Sequence, residues 1–211
     1  MTKKEALGIV FSCAPLYKEN LVDQSLLFVT TDKHKDVHCL EVTFDTSNFL
    51  HMTGFKLRKP GINARHFFNL CYDKRLTESD FDFASDGTTE MKMRVLPSLM
   101  KKNLSAKMLG DYNLYQPKLY TDKLAGSLSA CMGFVRDGGN SRFVPNTVLE
   151  GDIRTKVKHA DRIILTYRKK RSDAQYAEIV FQAKKVEWEK IVLPEEYSYL
   201  PLPQSLSTDD V

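Results

Sequence analysis

The sequence predicts a single α+β domain, with helices concentrated in its N-terminal half and antiparallel β-structure in its C-terminal half. Apolar residues recur at steps of three and four over residues 3–21 and again over residues 88–104, which is the period of an amphipathic helix. After Gly110 the pattern changes to short apolar runs between turn residues, which is typical of strands. No repeat or low-complexity linker divides residues 1–190, so one domain is the simplest prediction. Residues 191–211 are rich in proline, serine and acidic residues and are predicted to form a poorly ordered tail.

The first elements of the chain are predicted to be a helix and a hairpin. The helix over residues 3–21 contains Pro15, which is able to kink or break it. Residues 25–31 and 37–44 are rich in β-branched and apolar side chains, and they flank the polar turn D-K-H-K-D. This arrangement predicts a β-hairpin near the N-terminus.

Helices are predicted for much of the remaining N-terminal half. Residues 46–57 have a mixed pattern that ends at the turn-forming K-P-G of residues 59–61. Asn63 is a suitable N-cap for the helix that follows it. The periodic segment 88–104 contains Pro97 as an irregularity. Because their apolar faces must be buried, these helices require a sheet to cover.

The C-terminal half supplies most of the predicted strands. They are expected at residues 118–121, 127–135, 141–144, 162–169 and 176–184. The last two segments are joined by K-R-S-D-A-Q and form the clearest hairpin in the sequence.

Composition and charge restrict the class of protein. Hydrophobic residues make up 42 % of the chain, which is enough for an ordinary globular core. The net charge of +4 permits a polyanionic partner but does not demand one. No apolar run approaches the length of a membrane span and the N-terminus lacks the features of a secretory signal, so we predict a cytoplasmic protein without a membrane partner. Four dispersed cysteines are predicted to be reduced thiols: Cys13, Cys39, Cys71 and Cys131.

Several motifs of cofactor-dependent and covalent catalysis are missing from the sequence. It contains no GxGxxG, no GxxxxGK[ST] and no GxSxG, which argues against dinucleotide binding, triphosphate binding and an acyl-enzyme. His34 and His38 lie four residues apart and Cys39 follows, a spacing that suits a metal only on a helix. The surrounding pattern indicates a turn and a strand, so neither a metal nor a cofactor is predicted.

Polar residues within otherwise apolar segments are the remaining candidates for chemistry. They are His51, Thr53, Lys123, Ser127, Asn146, Thr147, Asp152 and Arg154. Such residues suit phosphodiester cleavage by transesterification, because RNA supplies its own 2′-hydroxyl nucleophile and the protein needs only a base, an acid and cations around the phosphate. Structural explanations stay open at this point. His51 is compatible with a hydrogen-bonded structural role, Asn146 with a turn or cap, and Arg154 with a surface ion pair to Asp152.

A series of segments in fixed order resembles a known group of nucleases. The segments are F-L-H-M-T-G-F-K-L, D-G-T-T-E-M-K, L-Y-T-D-K-L-A-G-S, C-M-G-F-V, F-V-P-N-T-V-L-E-G-D-I-R and Y-A-E-I-V. Together they are similar to the phage-type nucleases of the barnase, EndoU, colicin and RelE superfamily, and closest to its fourth phage family, which occurs in Gram-positive bacteria and mobile elements. The resemblance spans residues 20–185, and H-x-T-G and P-N-T are its most specific parts.

The resemblance implies a fold, a reaction and a set of site residues. It implies N-terminal helices packed on a twisted antiparallel sheet of about four main strands, to which the N-terminal hairpin is an addition. It also implies metal-independent RNA cleavage. His51 is then the general acid or base, Thr53 orients it or binds phosphate, and Lys123 counters phosphate charge. The complete assignment is His51, Thr53, Lys123 and Thr147 to catalysis and Lys56, Ser127, Asn146 and Arg154 to substrate binding.

Two other functions remain compatible with the sequence. A nuclease-like fold does not guarantee its chemistry, so the chain is also compatible with a catalytically inactive module that binds RNA or neutralises a toxin. An antitoxin or another protein partner is a further expectation of the resemblance. A small-molecule enzyme would instead require a deep apolar pocket near His51.

Overall fold

The computed structural model describes residues 1–113, 120–138 and 142–204. The α-helices within these ranges all lie in the first half of the chain. They are α1 (Lys3–Asn20), α2 (Phe49–Thr53), α3 (Ala64–Tyr72) and α4 (Thr88–Leu99). None of the described helices combines the length and apolarity needed to cross a membrane.

Local signals in the sequence account for where these helices begin. At α1, Thr2 accepts a hydrogen bond from the backbone N–H of Glu5, and the Glu5 side chain accepts one from the backbone of Thr2, which forms a capping box. Pro15 lies inside α1 without ending it. Asn63 caps α3 as predicted, because its side-chain oxygen accepts a hydrogen bond of 2.8 Å from the backbone N–H of His66.

The strands belong to one large sheet and one small sheet. The large sheet contains β1 (Gln24–Thr31), β2 (Val37–Thr43), β5 (Met108–Asp111), β6 (Lys123–Gly126), β7 (Ala130–Arg136), β8 (Phe143–Glu150), β9 (Asp161–Lys170) and β10 (Glu178–Gln182). The small sheet pairs β3 (Phe55–Leu57) with β4 (Phe81–Phe83). The two predicted hairpins are confirmed as β1–β2 and β9–β10.

The strand pairings of the large sheet close on themselves. The order is β1-β2-β8-β7-β6-β5-β9-β10, and β1 also pairs with β9 along most of its length. Seven strands therefore form a ring of pairings, with β10 beside β9. All pairings are antiparallel except β2–β8, which is parallel and has a single register pair, Val42 with Phe143. Because this pairing involves a single pair of residues, it is the least stable pairing in the ring.

The prediction of about four main strands with a separate N-terminal hairpin is wrong. The chain is α+β, but its main sheet has eight strands, and the hairpin is part of it. The hairpin joins through β1 to β9 and through β2 to β8, contacts between segments far apart in sequence that leave no local signal. The four-residue strands β5 and β6 were missed because runs of four residues are hard to distinguish from loop. Parts of the predicted strands 118–121 and 141–144 lie outside the described residues.

The main hydrophobic core lies between the helices and one face of the large sheet. It combines buried side chains of all four helices with side chains from seven strands of that sheet. Aromatic rings connect the layers: Tyr17 of α1 contacts Phe44, and Phe44 meets Phe134 of β7 edge to face at 6.3 Å. The helices thus pack on one face of an eight-stranded sheet, with α2 and α4 against β8, rather than on a four-stranded layer.

A second apolar cluster lies on another part of the sheet surface and includes the C-terminal segment. Trp188 and Leu200 are 7 % and 4 % exposed and pack with side chains of β1 and β9. The Tyr167 hydroxyl donates a hydrogen bond of 2.8 Å to the carbonyl of Pro201. Residues 205–211 of the predicted tail lie outside the described residues.

The four cysteines are free thiols, and Cys13, Cys71 and Cys131 are buried. Burial raises the pKa of Cys13 to about 11 and, as the largest effect, that of Cys131 to about 12. These thiols are therefore protonated at neutral pH and unsuited to nucleophilic attack.

The turn before β4 contains a carboxylate whose charge stabilises the fold. Lys59 Nζ lies 2.5 Å from Asp80 Oδ1, and the backbone N–H of Thr77 donates to Asp80 Oδ2 at 2.7 Å. The Lys59 ammonium, and after it Thr77, lower the pKa of Asp80 to about 2 against an ordinary 3.8. Because the folded-state pKa is depressed, this stabilisation is present above pH 3.8 and is lost as the pH falls through about 2.

We expect Asp80→Asn to lower the free energy of unfolding at neutral pH by about 1.5–3 kcal/mol, the usual contribution of hydrogen bonds to a charged group. Urea denaturation over a pH series measures this, and the difference from the native protein should shrink between pH 3.8 and about 2. The control is Asp82→Asn, whose carboxylate is 55 % exposed beside Lys3 and should matter little. A pH-independent deficit in Asp80→Asn would contradict the ionic explanation.

Candidate functional site

His51 and Thr53 lie on the five-residue helix α2. Gly54 ends this helix in the left-handed conformation, at φ 72°, and its close approach to Thr89 leaves little room for a side chain. Thr53 is fully buried, donates a hydrogen bond to the carbonyl of Leu50 and accepts one from the N–H of Phe55. The Thr53 hydroxyl therefore stabilises the turn at the end of α2. It could contact a phosphate only if that turn opened.

His51 is exposed and lies beside a group of charged residues from α4 and β3. Lys92 Nζ donates a hydrogen bond of 3.0 Å to the backbone carbonyl of His51, and Lys56 Nζ donates to Ser85 Oγ at 3.1 Å. Desolvation, followed by the Lys92 charge, lowers the pKa of His51 below its ordinary 6.5. We call His51, Lys56 and Lys92 the α2 surface. At neutral pH the His51 imidazole is therefore uncharged and available as a proton acceptor.

Asn146 and Thr147 of β8 lie on the side of the sheet that faces away from α2. Thr147 is paired with Gly133 of β7, and a Cβ on Gly133 would lie 2.7 Å from Thr147 Cγ2. The next pair along the ladder, Met132 with Val148, points instead into the main core that also contains residues of α2. Because neighbouring side chains on a strand alternate between faces, the sheet separates Thr147 from His51.

Ser127 and Arg154 lie near each other at a third location. The backbone N–H of Ile153 donates to the carbonyl of Ser127 at 3.1 Å, which joins the turn after β6 to the segment after β8. The Arg154 side chain is exposed and makes several hydrogen bonds to the carboxylate of Asp152, the shortest at 2.6 Å. An RNA phosphate would have to compete with Asp152 for this guanidinium.

Lys123, at the start of β6, lines an open cleft of about 620 Å³. We call it the Lys123 cleft. Its other charged and imidazole side chains are Asp32, Lys33, His38, Asp111, Lys158, His159 and Asp161. The lining residues come from the β1–β2 hairpin, β5, β6 and the segment that leads into β9, and α2 contributes none among the described residues.

The side chains of the Lys123 cleft are held by ion pairs. Lys123 Nζ is bound to the carboxylate of Asp111, which is itself 58 % exposed. His38 Nε2 lies 3.7 Å from Asp32 Oδ2, and Asp32 also accepts hydrogen bonds from the backbone N–H groups of His34 and Asp36. The Asp32 carboxylate is thus placed to orient the His38 ring. Three lysines and three aspartates line the cleft, so it carries no large excess of positive charge.

The predicted site residues thus occupy four places. His51 and Lys56 share the α2 surface, and Thr53 is buried at the end of α2. Asn146 and Thr147 lie on the face of β8 away from α2, Ser127 and Arg154 share a turn region, and Lys123 lies in its cleft. Sequence reasoning missed His38, His159 and Asp111. His38 was considered only as a partner of His34 in a metal site, whereas its position on β2 opposite Thr30 places it in the cleft. Within the described residues, no group of three or more His, Cys, Asp and Glu side chains is arranged to hold a metal ion.

Comparison with known proteins identifies the family. A search of curated proteins and a search of solved structures each found no match. A comparison with protein families matched residues 9–185 to the family described as phage-Barnase-EndoU-ColicinE5/D-RelE like nuclease4. This match confirms the resemblance predicted from the sequence motifs and covers most of the chain. The chain therefore belongs to the fourth family of phage-type nucleases related to barnase, EndoU, colicins E5 and D, and RelE.

Proposed function

We propose that this protein is a metal-independent endoribonuclease that cleaves RNA by transesterification in the Lys123 cleft. The observation that supports this location is that two histidines and Lys123 line one open cleft. Membership of a nuclease family supports the general class of activity. The choice of RNA follows from the side chains available, because a 2′-hydroxyl nucleophile removes the need for a metal-activated water.

In this mechanism the two histidines transfer protons and the Lys123 ammonium stabilises the negative charge of the phosphate. One imidazole removes the proton from the 2′-hydroxyl as its oxygen attacks the adjacent phosphorus, and the other gives a proton to the departing 5′-oxygen. His38 is suited to the first role, because Asp32 lies 3.7 Å from its Nε2 and orients the ring. His159 then serves as the acid. The Lys123 ammonium moves from Asp111 to a non-bridging phosphate oxygen and stabilises the charge that builds up there.

The Lys123 cleft has equal numbers of lysines and aspartates, so its own charge attracts RNA only weakly. Since its lysines and aspartates balance, long-range attraction must come from the rest of the surface, and the protein as a whole carries only +4. We therefore propose that RNA binds with moderate affinity and that contacts outside the cleft contribute much of it. An antitoxin or another protein partner would act by covering the cleft.

The α2 surface is the second candidate location for the same reaction. It combines an imidazole of lowered pKa with Lys56 and Lys92, and it contains His51 of the H-x-T-G block. Its weakness is geometric. Thr53 is engaged in its own turn, and Lys123 and Thr147 do not converge on His51. Substitutions of histidine at the two places distinguish them.

The first test of the proposal is the chemistry of the product. We expect cleavage of single-stranded RNA to continue in excess EDTA and to leave a 2′,3′-cyclic phosphate, because the 2′-oxygen displaces the 5′-oxygen directly. Mass spectrometry of short products detects this end. A control substrate with 2′-deoxyribose at the cleaved position should stay intact.

Two results would contradict this mechanism. Loss of cleavage in EDTA that is restored by a divalent ion would show metal-assisted hydrolysis instead. RNA that is bound but never shortened, together with harmless overproduction in cells, would favour the catalytically inactive module.

A further inference from the structure

Tyr120, just before β6, has an aromatic ring that is almost entirely in water. It is 85 % exposed, whereas the other exposed tyrosines among the described residues, Tyr72 and Tyr199, are 39 % and 43 % exposed. A ring in this position buries little area and adds little to the stability of the fold. Exposed aromatic rings beside polar and cationic groups are instead suited to stacking on a planar ligand.

Hydrogen bonds to β7 and β8 hold the backbone at this ring in place. The side-chain amide of Asn146 donates a hydrogen bond to the carbonyl of Tyr120, and the Thr121 hydroxyl donates one of 3.2 Å to Asn146 Oδ1. Thr121 itself is only 4 % exposed. The backbone N–H of Asp122 continues the attachment with a hydrogen bond of 2.9 Å to the carbonyl of Phe134. The backbone that carries Tyr120 is therefore tied to both β7 and β8.

Two irregular features of the sheet make this attachment possible. Between Gly133 and Phe134 the β7–β8 ladder skips Asn146, so a β-bulge releases that residue from regular pairing. A Cβ on Gly133 would lie 2.7 Å from Thr147 Cγ2 and 2.9 Å from Thr121 Cγ2. Glycine is thus required for Thr121 to approach β8 closely. A bulge, a glycine and the hydrogen-bonded pair of Asn146 and Thr121 together fix a residue whose own ring contributes little to the core.

We propose that Tyr120 is a base-stacking platform for single-stranded RNA next to the Lys123 cleft, and that Asn146 positions it. This inference rests on the proposed ribonuclease function and names a subsite of it. Tyr120 precedes Lys123 by three residues, roughly 10 Å along an extended chain, which a strand of a few nucleotides spans. A tyrosine ring stacks on any base, so the subsite provides affinity rather than sequence preference. Stacking on Tyr120 also adds binding energy that the Lys123 cleft, with its balanced lysines and aspartates, does not provide by charge.

The test measures binding without cleavage. A fluorescent single-stranded 2′-O-methyl oligoribonucleotide, which cannot undergo transesterification, is titrated with the native protein and with Tyr120→Ala, and anisotropy reports the dissociation constant. We expect Tyr120→Ala to bind about 5- to 150-fold more weakly, the range found for removal of one base–aromatic stack. Tyr120→Phe keeps the ring and should bind within about twofold of the native protein. Tyr199→Ala is the matched control on another tyrosine and should have no effect.

A second probe separates stacking from charge. With an abasic 2′-O-methyl oligomer of the same length, the native protein and Tyr120→Ala should bind equally. A loss of equal size on this backbone-only probe would overturn the stacking assignment. Native-like binding of the base-containing probe by Tyr120→Ala would overturn it while leaving the ribonuclease proposal intact. A native protein that binds neither probe and cleaves no RNA would overturn both.

Discussion

Replacing His38 or His159 by alanine is expected to reduce the rate of RNA cleavage by about 10²- to 10⁴-fold, the usual contribution of a general acid or base. Both imidazoles line the Lys123 cleft, and His38 is supported by Asp32 at 3.7 Å. Neither ring belongs to the buried core, so the variants should fold normally. Single-turnover cleavage of labelled RNA measures the rate, and circular dichroism with thermal denaturation checks the fold.

The two candidate locations give opposite results in a histidine series. If the Lys123 cleft is the active site, His51→Ala keeps nearly full activity, as should the control His66→Ala, whose ring lies on α3 near the carbonyl of Gly61. If the α2 surface is the active site, His51→Ala loses activity and His38→Ala does not. Undiminished cleavage by a folded His38→Ala, His159→Ala double variant would reject the cleft as the reaction centre.

The pH dependence of the rate provides an independent criterion for His51. Its pKa lies below 6.5 because of desolvation and the Lys92 charge. A base with a lowered pKa is active above that pKa and becomes protonated as the pH falls through it. If His51 is the base, the acidic limb of the rate profile lies below pH 6.5. The limb should then move to higher pH in Lys92→Met, which removes the neighbouring positive charge.

The parts of the fold that were predictable are those encoded by local patterns. Capping by Asn63 and the β-branched, apolar runs of β1 and β9 are properties of adjacent residues, and each led to the correct element. The ring of strands depends instead on pairing between segments more than a hundred residues apart. The β2–β8 contact consists of one register pair, which no local pattern specifies. The number of four main strands came from the family resemblance, whereas short strands and long-range closure explain why local patterns did not reveal the eight-stranded ring.

The candidate site shows the same division between local and distant information. The H-x-T-G block is detectable in the sequence because its residues are adjacent. Two of its four positions nevertheless stabilise the end of α2, Thr53 through its hydrogen bonds and Gly54 through its left-handed backbone conformation. A sequence motif does not distinguish such structural roles from chemical ones. His38 and His159 are separated by more than a hundred residues and come together only because β1, β2, β5 and β9 are neighbours in the ring.

Leu200→Ala is expected to lower the free energy of unfolding by about 2–5 kcal/mol, the usual range for truncating a fully packed leucine. Leu200 is 4 % exposed and belongs to the cluster that also contains Trp188 and Tyr167. The adjacent hydrogen bond from Tyr167 to the carbonyl of Pro201 fixes the segment against β9 and limits relaxation into the cavity.

The chain offers a control and a probe for this measurement. Val192 lies in the same segment but is 79 % exposed, so Val192→Ala should change stability by no more than about 0.5 kcal/mol. Trp188 is the single tryptophan of the protein and lies in the same cluster, so its fluorescence follows the unfolding of this region in urea. If Leu200→Ala and Val192→Ala are equally stable, the C-terminal segment is not part of the core and behaves as the poorly ordered tail that its composition predicts. A large loss in Leu200→Ala alone establishes that residues beyond the family match at Lys185 help to hold the sheet together, because they cover the apolar surface of β1 and β9.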